Sequence, residues 1–203
     1  NTHHHSDHTG ANLALKEEFG LTIVGPRADR DRIPGIDVAV GDGDIVRLGN
    51  AQTTVFDVPG HTRGHIAYWF AGSDALFCGD TLFALGCGRL FEGTPEQMWQ
   101  SLSKFRTLPD SAHVYCAHEY TLANARFALT VDPGNDALKA RAAQVAALRD
   151  AGRATVPSTL GEERATNPFL RADRPELAAA VGRTGASPAQ VFGAIRAAKD
   201  SFS

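Results

Sequence analysis

From residue 21 to residue 116 the apolar positions fall in short runs, many alternating with polar ones, and Gly, Asn, Asp or Pro stand between the runs. That pattern predicts β-strands at 21–24, Val38–Val40, Ile45–Leu48, 53–58, Ile66–Phe70, 75–78 and His113–Cys116. Ahead of them Leu13, Leu15 and Phe19 stand among Lys16, Glu17 and Glu18, a short helix over 13–19 that Gly20 can end. Thr94-Pro95-Glu96-Gln97 is a capping box with proline at the first helical position, opening a helix that runs to about Arg106. Beyond Tyr120 the strand pattern stops. Helices are expected at 122–129, 136–151, 176–181 and 188–199, the last opened by a second capping box at Ser187-Pro188-Ala189-Gln190. Strands followed by a helical run predict an α+β chain with a sheet domain over 1–131 and a helical domain over 132–203. The stretch 26–35, charged and bounded by proline and glycine, reads as a solvated surface loop, Arg27, Arg30 and Arg32 included.

Composition narrows the function. The 203 residues, 43% of them hydrophobic, suffice for one core and a small second one. The net charge is −3, and no basic run or basic–aromatic stripe offers a nucleic-acid surface. No apolar segment approaches the length of a membrane span. The three cysteines, Cys78, Cys87 and Cys116, have no zinc-knuckle spacing. Free thiols in a reducing compartment account for them most simply, so a cytoplasmic location is expected.

The candidate chemistry begins at Thr2-His3-His4-His5-Ser6-Asp7-His8, four imidazoles and one carboxylate without thiolate. Such donors suit zinc, iron or manganese, and the spacing fits two metals better than one. His3 and His5, two apart in extended backbone, point to one side, and a turn would aim Asp7 and His8 at a neighbouring point. An expression tag would have no matching ligands downstream. They exist: His61 in Pro59-Gly60-His61-Thr62-Arg63-Gly64-His65, Asp80 in Gly79-Asp80-Thr81 and His118 in Ala117-His118-Glu119-Tyr120. Each follows a strand-like run, so all could meet at one edge of a sheet.

The pattern His-x-His-x-Asp-His resembles the metallo-β-lactamase superfamily, and the match is closer to its glyoxalase II branch, the hydroxyacylglutathione hydrolases. Residues 2–8, 59–65, 79–89, 115–120 and 167–171 carry the resemblance. It implies an αββα sandwich with a C-terminal helical domain and two divalent metal ions, zinc first, with iron or manganese as alternatives. It assigns His3, His5, His61 and Asp80 to one ion and Asp7, His8, Asp80 and His118 to the other, with Asp80 bridging and Asp7 and Asp80 catalytic. His4 should point away, and His65 should serve structure or orient a ligand. The segment Gly86-Cys87-Gly88-Arg89-Leu90-Phe91 resembles the family's glutathione-binding segment, with Arg89 where Lys is common and Phe91 where Tyr is common. Tyr120, Arg196 and Lys199 complete the implied substrate set. Taken singly, Arg196 and Lys199 read as a solvated helix face. Cys87 has no evident base partner and reads poorly as a nucleophile.

The implied activity is hydrolysis of S-D-lactoylglutathione or a related 2-hydroxyacyl thiolester by a metal-bridging hydroxide, the second step of methylglyoxal detoxification, in a monomer with no nucleic-acid or membrane partner. The rivals are a lactonase, a β-lactamase or a persulfide dioxygenase of the same superfamily, or a metal-binding protein without activity. Relatives carry a β-β-α-β stretch upstream of the histidine motif, so a truncated chain lacking those strands is expected.

Overall fold

The structure is a computed structural model and describes residues 1–202; Ser203, the last residue of the expected helical domain, lies outside them. The chain opens with α1 (Ser6–Thr9) and α2 (Asn12–Phe19), then β1 (Val24–Pro26), β2 (Val38–Val40), β3 (Ile45–Leu48), β4 (Ala51–Asp57), β5 (Ile66–Phe70) and β6 (Ala75–Gly79). A small hairpin, β7 (Leu82–Phe83) and β8 (Gly86–Cys87), leads to α3 (Pro95–Phe105) and β9 (His113–Cys116). The remainder holds α4 (Thr121–Val131), α5 (Asp136–Asp150), β10 (Ser158–Thr159), α6 (Leu160–Thr166), α7 (Pro175–Ala180) and α8 (Pro188–Asp200).

Six strands form one sheet in the order β10-β9-β6-β5-β4-β3. Every pairing is antiparallel except β6 with β9. One face of the sheet carries Trp69, Leu76 and Val114, which join Met98, Leu102 and Phe105 of α3 and Val191, Phe192 and Ile195 of α8 in the main core. The opposite face carries Val55, Ile66 and Tyr68, which pack against Val24 and Val40 of the small parallel β1–β2 sheet. Asn12 and Lys16 of α2 reach the β1–β2 connection at the Pro34 and Gly35 carbonyls. This is the helix–sheet–sheet–helix layering of an αββα sandwich, its second sheet small.

The local signals act as expected at both capping boxes, Thr94/Gln97 and Ser187/Gln190, and at Gly20, whose φ of 62° closes α2. The structure departs from the sequence reading at four places. The segment 21–23 is not a strand: the Ile23 carbonyl accepts the Asp37 and Val38 amides, and pairing begins only at Val24. Strands do not stop at Tyr120, because β10 returns to pair with β9. The helix α6 goes unpredicted although Thr159 and Glu162 form a third capping box. Residues 26–35 lie at the surface with Arg27 and Arg30 exposed, as expected, but they are not an irregular loop throughout: Arg27–Arg32 wind into a 3-10 turn that buries Asp29 against Arg32 and His4.

Candidate metal centre

The strand directions explain why the ligand-type residues meet. β4 and β6 are each antiparallel to β5, and β9 is parallel to β6, so all three end at one edge of the sheet. His61 follows β4, Asp80 follows β6 and His118 follows β9. A register shift between β6 and β9 at Phe77/Gly79, with Gly79 at φ 50°, turns the chain sharply before Asp80. A side chain at Gly79 would need the left-handed region and would press within 2.4 Å of the Thr2 hydroxyl.

The histidine-rich stretch lies across that edge. His3 and His5 project together, as the extended spacing predicts: His3 Nε2 and His5 Nδ1 are 3.1 Å apart. The turn expected at Asp7 and His8 is the short helix α1, whose first turn the Thr9 hydroxyl reinforces by donating to the His5 carbonyl. It sets the His8 ring, tilted, 4.1 Å from the His3 ring and brings Asp7 within 3.3 Å of His118 Nε2. His4 points the other way, onto the Asp29 carboxylate at 3.1 Å.

Three groups of donor atoms converge: His3, His5 and His61; Asp7, His8 and His118; and His3, His8 and Asp80. The Asp80 carboxylate sits between the first two, with one oxygen 3.2 Å from His8 Nε2 and the other 3.5 Å from His61 Nε2 and 3.4 Å from His118 Nε2.

Proton positions favour a cation. His61 Nδ1 lies 2.8 Å from the Arg89 carbonyl, which only accepts, so Nδ1 carries the proton and Nε2 offers a bare lone pair. His5 Nδ1 faces both that nitrogen and His3 Nε2 at 3.1 Å, and one proton cannot satisfy three converging nitrogens. Burial holds His3, His5 and His61 below the usual imidazole pKa, and the neighbouring imidazoles push the same way. Neutral imidazole is the ligating form. Among the described residues His8 Nε2 and Asp80 Oδ1 are buried and form no aligned hydrogen bond, although they lie 3.2 Å from each other. Donors of this kind in a nitrogen- and oxygen-only cluster fit divalent metal ions.

His65 lies beneath the cluster and is buried. Its Nε2 accepts the Asp80 amide at 3.1 Å, its Nδ1 lies 3.2 Å from the Thr81 hydroxyl, and its ring stacks on His3 with centroids 4.6 Å apart. Burial lowers its pKa to about 3, so it stays neutral.

The cluster floors a cleft of about 450 Å³ that Arg89, Phe91, Tyr120, Arg196 and Lys199 also line. Phe91 meets the His61 and His5 rings edge-on, and Tyr120 stacks on His118 at 5.0 Å, both half exposed. Arg89 reaches Asp200 at 3.1 Å. Arg196 does not lie on a solvated face: it is buried, with Nη1 donating to the Cys87 carbonyl at 2.9 Å and Nη2 3.0 Å from Asp200. Lys199 holds its ammonium over the Phe127 and Phe202 rings. Burial pushes the Cys87 thiol up to about 11, which removes it as a nucleophile. Sequence reasoning misses Asp29, which anchors His4, Asn124 and Glu163, which reach the hairpin beside the cleft, and Arg141, which pairs with Glu163.

Two family models cover the chain: the metallo-β-lactamase superfamily over residues 1–118 and the hydroxyacylglutathione hydrolase C-terminus over residues 119–202. The hydroxyacylglutathione hydrolase of Methylococcus capsulatus is 61% identical over 202 residues, 100% of this chain and 79% of the relative. That of Rhodospirillum rubrum is 58% identical with the same coverage. Among solved structures, ETHE1 from Myxococcus xanthus superposes with a TM-score of 0.65 at 29% identity, over 97% of this chain and 66% of its own. TTHA1623, solved in a di-iron-bound form, gives 0.55 at 26% identity over 83% of this chain and 75% of its own.

Proposed function

The chain belongs to the hydroxyacylglutathione hydrolases of the metallo-β-lactamase superfamily, and on that premise we propose how its own residues carry the hydrolysis of S-D-lactoylglutathione to glutathione and D-lactate. The family binds divalent metal. In our reading His3, His5 and His61 would hold one ion and Asp7, His8 and His118 a second, and Asp80, whose carboxylate lies between the two groups, would serve both. Zinc is the first choice, with iron and manganese compatible with the same donors. When bound, such ions supply Lewis acidity and bring the pKa of water from 15.7 toward about 7.

The protein's part is position and charge. The Arg89 carbonyl fixes the tautomer of His61, and His65 fixes the Asp80 backbone. Asp7, the most exposed of the cluster, has its carboxylate at the cleft side, where it can accept the proton the attacking water gives up. The leaving thiolate needs no strong acid, since a thiol has a pKa of about 8.5. Arg89 and Lys199 offer cations to the two glutathione carboxylates, while Phe91 and Tyr120 wall the thiolester. We assign the chemistry to residues 1–131 and part of the binding, through Lys199, to the helical residues 132–203, with Arg89, Phe91 and Tyr120 of the first segment completing it. The free thiols suit a reducing compartment such as the cytoplasm, and among the described residues no helix is long and apolar enough to cross a membrane.

The observation that carries this reading is the convergence of His and Asp ligand atoms, including the buried His8 Nε2 and Asp80 Oδ1 that form no aligned hydrogen bond, beside a cationic cleft. The test compares S-D-lactoylglutathione with a thiolester of the same acyl group on a small neutral thiol. At least tenfold higher kcat/KM for the glutathione thiolester is expected; equal values would contradict the assignment of the cleft.

A further inference from the structure

Between β7 and β8 the chain reverses through Ala84 and Leu85, and Leu85 takes a φ of 58°. A bulky residue there is strained, and it persists only where its surroundings over-determine it. The surroundings are side chains of the helical segment. The Leu85 amide donates to Glu163 Oε2 at 2.9 Å. Asn167, the residue that ends α6, donates from Nδ2 to the Phe83 and Gly86 carbonyls at 3.1 and 2.9 Å and to Glu163 Oε2 at 2.9 Å. Asn124 of α4 takes the Ala84 carbonyl at 3.1 Å. Glu163 is fully buried, and its other oxygen pairs with the buried Arg141 of α5. Arg196 of α8 holds the next carbonyl along, that of Cys87.

What leaves the hairpin enters the metal centre. The Gly88 amide donates to the Thr81 carbonyl at 3.3 Å, so close to Asp80 that a Cβ on Gly88 would stand 1.9 Å from the Asp80 carbonyl oxygen. One residue on, the Arg89 carbonyl fixes His61. A buried carboxylate of α6, backed by the Arg141 guanidinium of α5, and two carboxamides, Asn124 of α4 and Asn167 at the end of α6, thus converge on one four-residue turn whose exit touches the His61 ring and the Asp80 backbone.

We propose that Asn167 and Glu163, with Arg141 paired behind them, are positioning residues of the metal centre: they hold the hairpin in its strained turn so that its exit orients His61 and seats Asp80. The proposal rests on the reading of His61 and Asp80 as ligands. It also gives the helical segment a second role, setting the affinity of the sheet edge for its metal. The loss of a group that orients a ligand costs about 10–100-fold in metal affinity or activity.

The experiment compares Asn167→Ala with Leu177→Ala, which deletes a buried side chain of α7 that makes no hydrogen bond to the hairpin. Zinc affinity is measured by competition with a chromophoric chelator, and amide exchange of residues 82–91 is measured in the metal-free protein. Asn167→Ala should bind zinc at least tenfold more weakly and lose exchange protection in the hairpin, whereas Leu177→Ala should keep both even if it melts lower. Asn124→Ala, which removes a single bond to the turn, should move both readouts the same way by less, and it serves if Asn167→Ala does not fold. Equal zinc affinity and equal hairpin protection in wild type and the hairpin variants would overturn the proposal. Should the wild type take up no zinc, the metal-centre reading falls separately. Exchange in the metal-free protein then decides the brace: protection lost only in the hairpin variants upholds it, and protection unchanged overturns it.

Discussion

Replacing His65 by alanine separates a group that supports the site from one that ligates. Two buried partners lose their acceptor or donor: the Asp80 amide and the Thr81 hydroxyl. A buried polar group left unsatisfied costs about 1–3 kcal/mol, so the pair is worth roughly 2–6 kcal/mol, toward the low end if water enters the vacated space. In the metal-free protein the cost has a defined pH dependence. His65 has a folded pKa of about 3 against an ordinary value of 6.5, so the unfolded chain binds a proton there that the folded chain refuses. Native stability therefore falls as pH drops below about 6.5, by about 1.4 kcal/mol per unit from this residue alone, until the folded pKa is reached. Between pH 7.5 and pH 5 that amounts to about 2 kcal/mol. Alanine removes the titration, so the gap between wild type and His65→Ala should narrow by about that amount at pH 5. Urea denaturation of both metal-free proteins at the two pH values measures it. A gap that stays constant or widens at pH 5 would show that His65 is not held neutral by its buried site.

Asp80→Ala should abolish thiolester turnover, whereas His65→Ala should retain a measurable fraction, about 1–10% by the usual cost of losing a group that orients a ligand, as steady-state assays on folded variants would show. Gly88→Ala should weaken zinc binding, because its Cβ would force the Asp80 backbone to move; chelator competition reads this out. Lys199→Ala should raise KM for a glutathione thiolester with kcat nearly unchanged, because a contact to the unreacting tripeptide is equal in ground and transition states. Arg196→Ala should differ from it by lowering the melting temperature as well, since it vacates the Cys87 carbonyl.

The cluster could be read from the sequence because each of its parts is local. His3, His5, Asp7 and His8 sit within a few residues, and His61, Asp80 and His118 each follow a strand that its own apolar pattern predicts. Where those strands end is fixed by pairing directions that the pattern implies only loosely. The helix α1 spans four residues and β10 two, too short to carry a period. The deeper misses concern charge. Asp29, Glu163, Arg141 and Arg196 look like solvated residues in the sequence, and they are buried against polar partners that lie from three residues away, Arg32 for Asp29, to 109 residues away, Cys87 for Arg196. The Thr159/Glu162 capping box would mark α6, and with it the helix that carries Glu163 and ends at Asn167.

The central claim is a two-ion centre bridged by Asp80, and a zinc titration of the metal-free protein followed by thiolester hydrolysis tests it most directly. Binding should saturate at two ions per chain, with turnover appearing as the sites fill, and Asp80→Ala should lose the turnover. Saturation at one ion in the wild type, or full turnover in the Asp80→Ala protein, would contradict it.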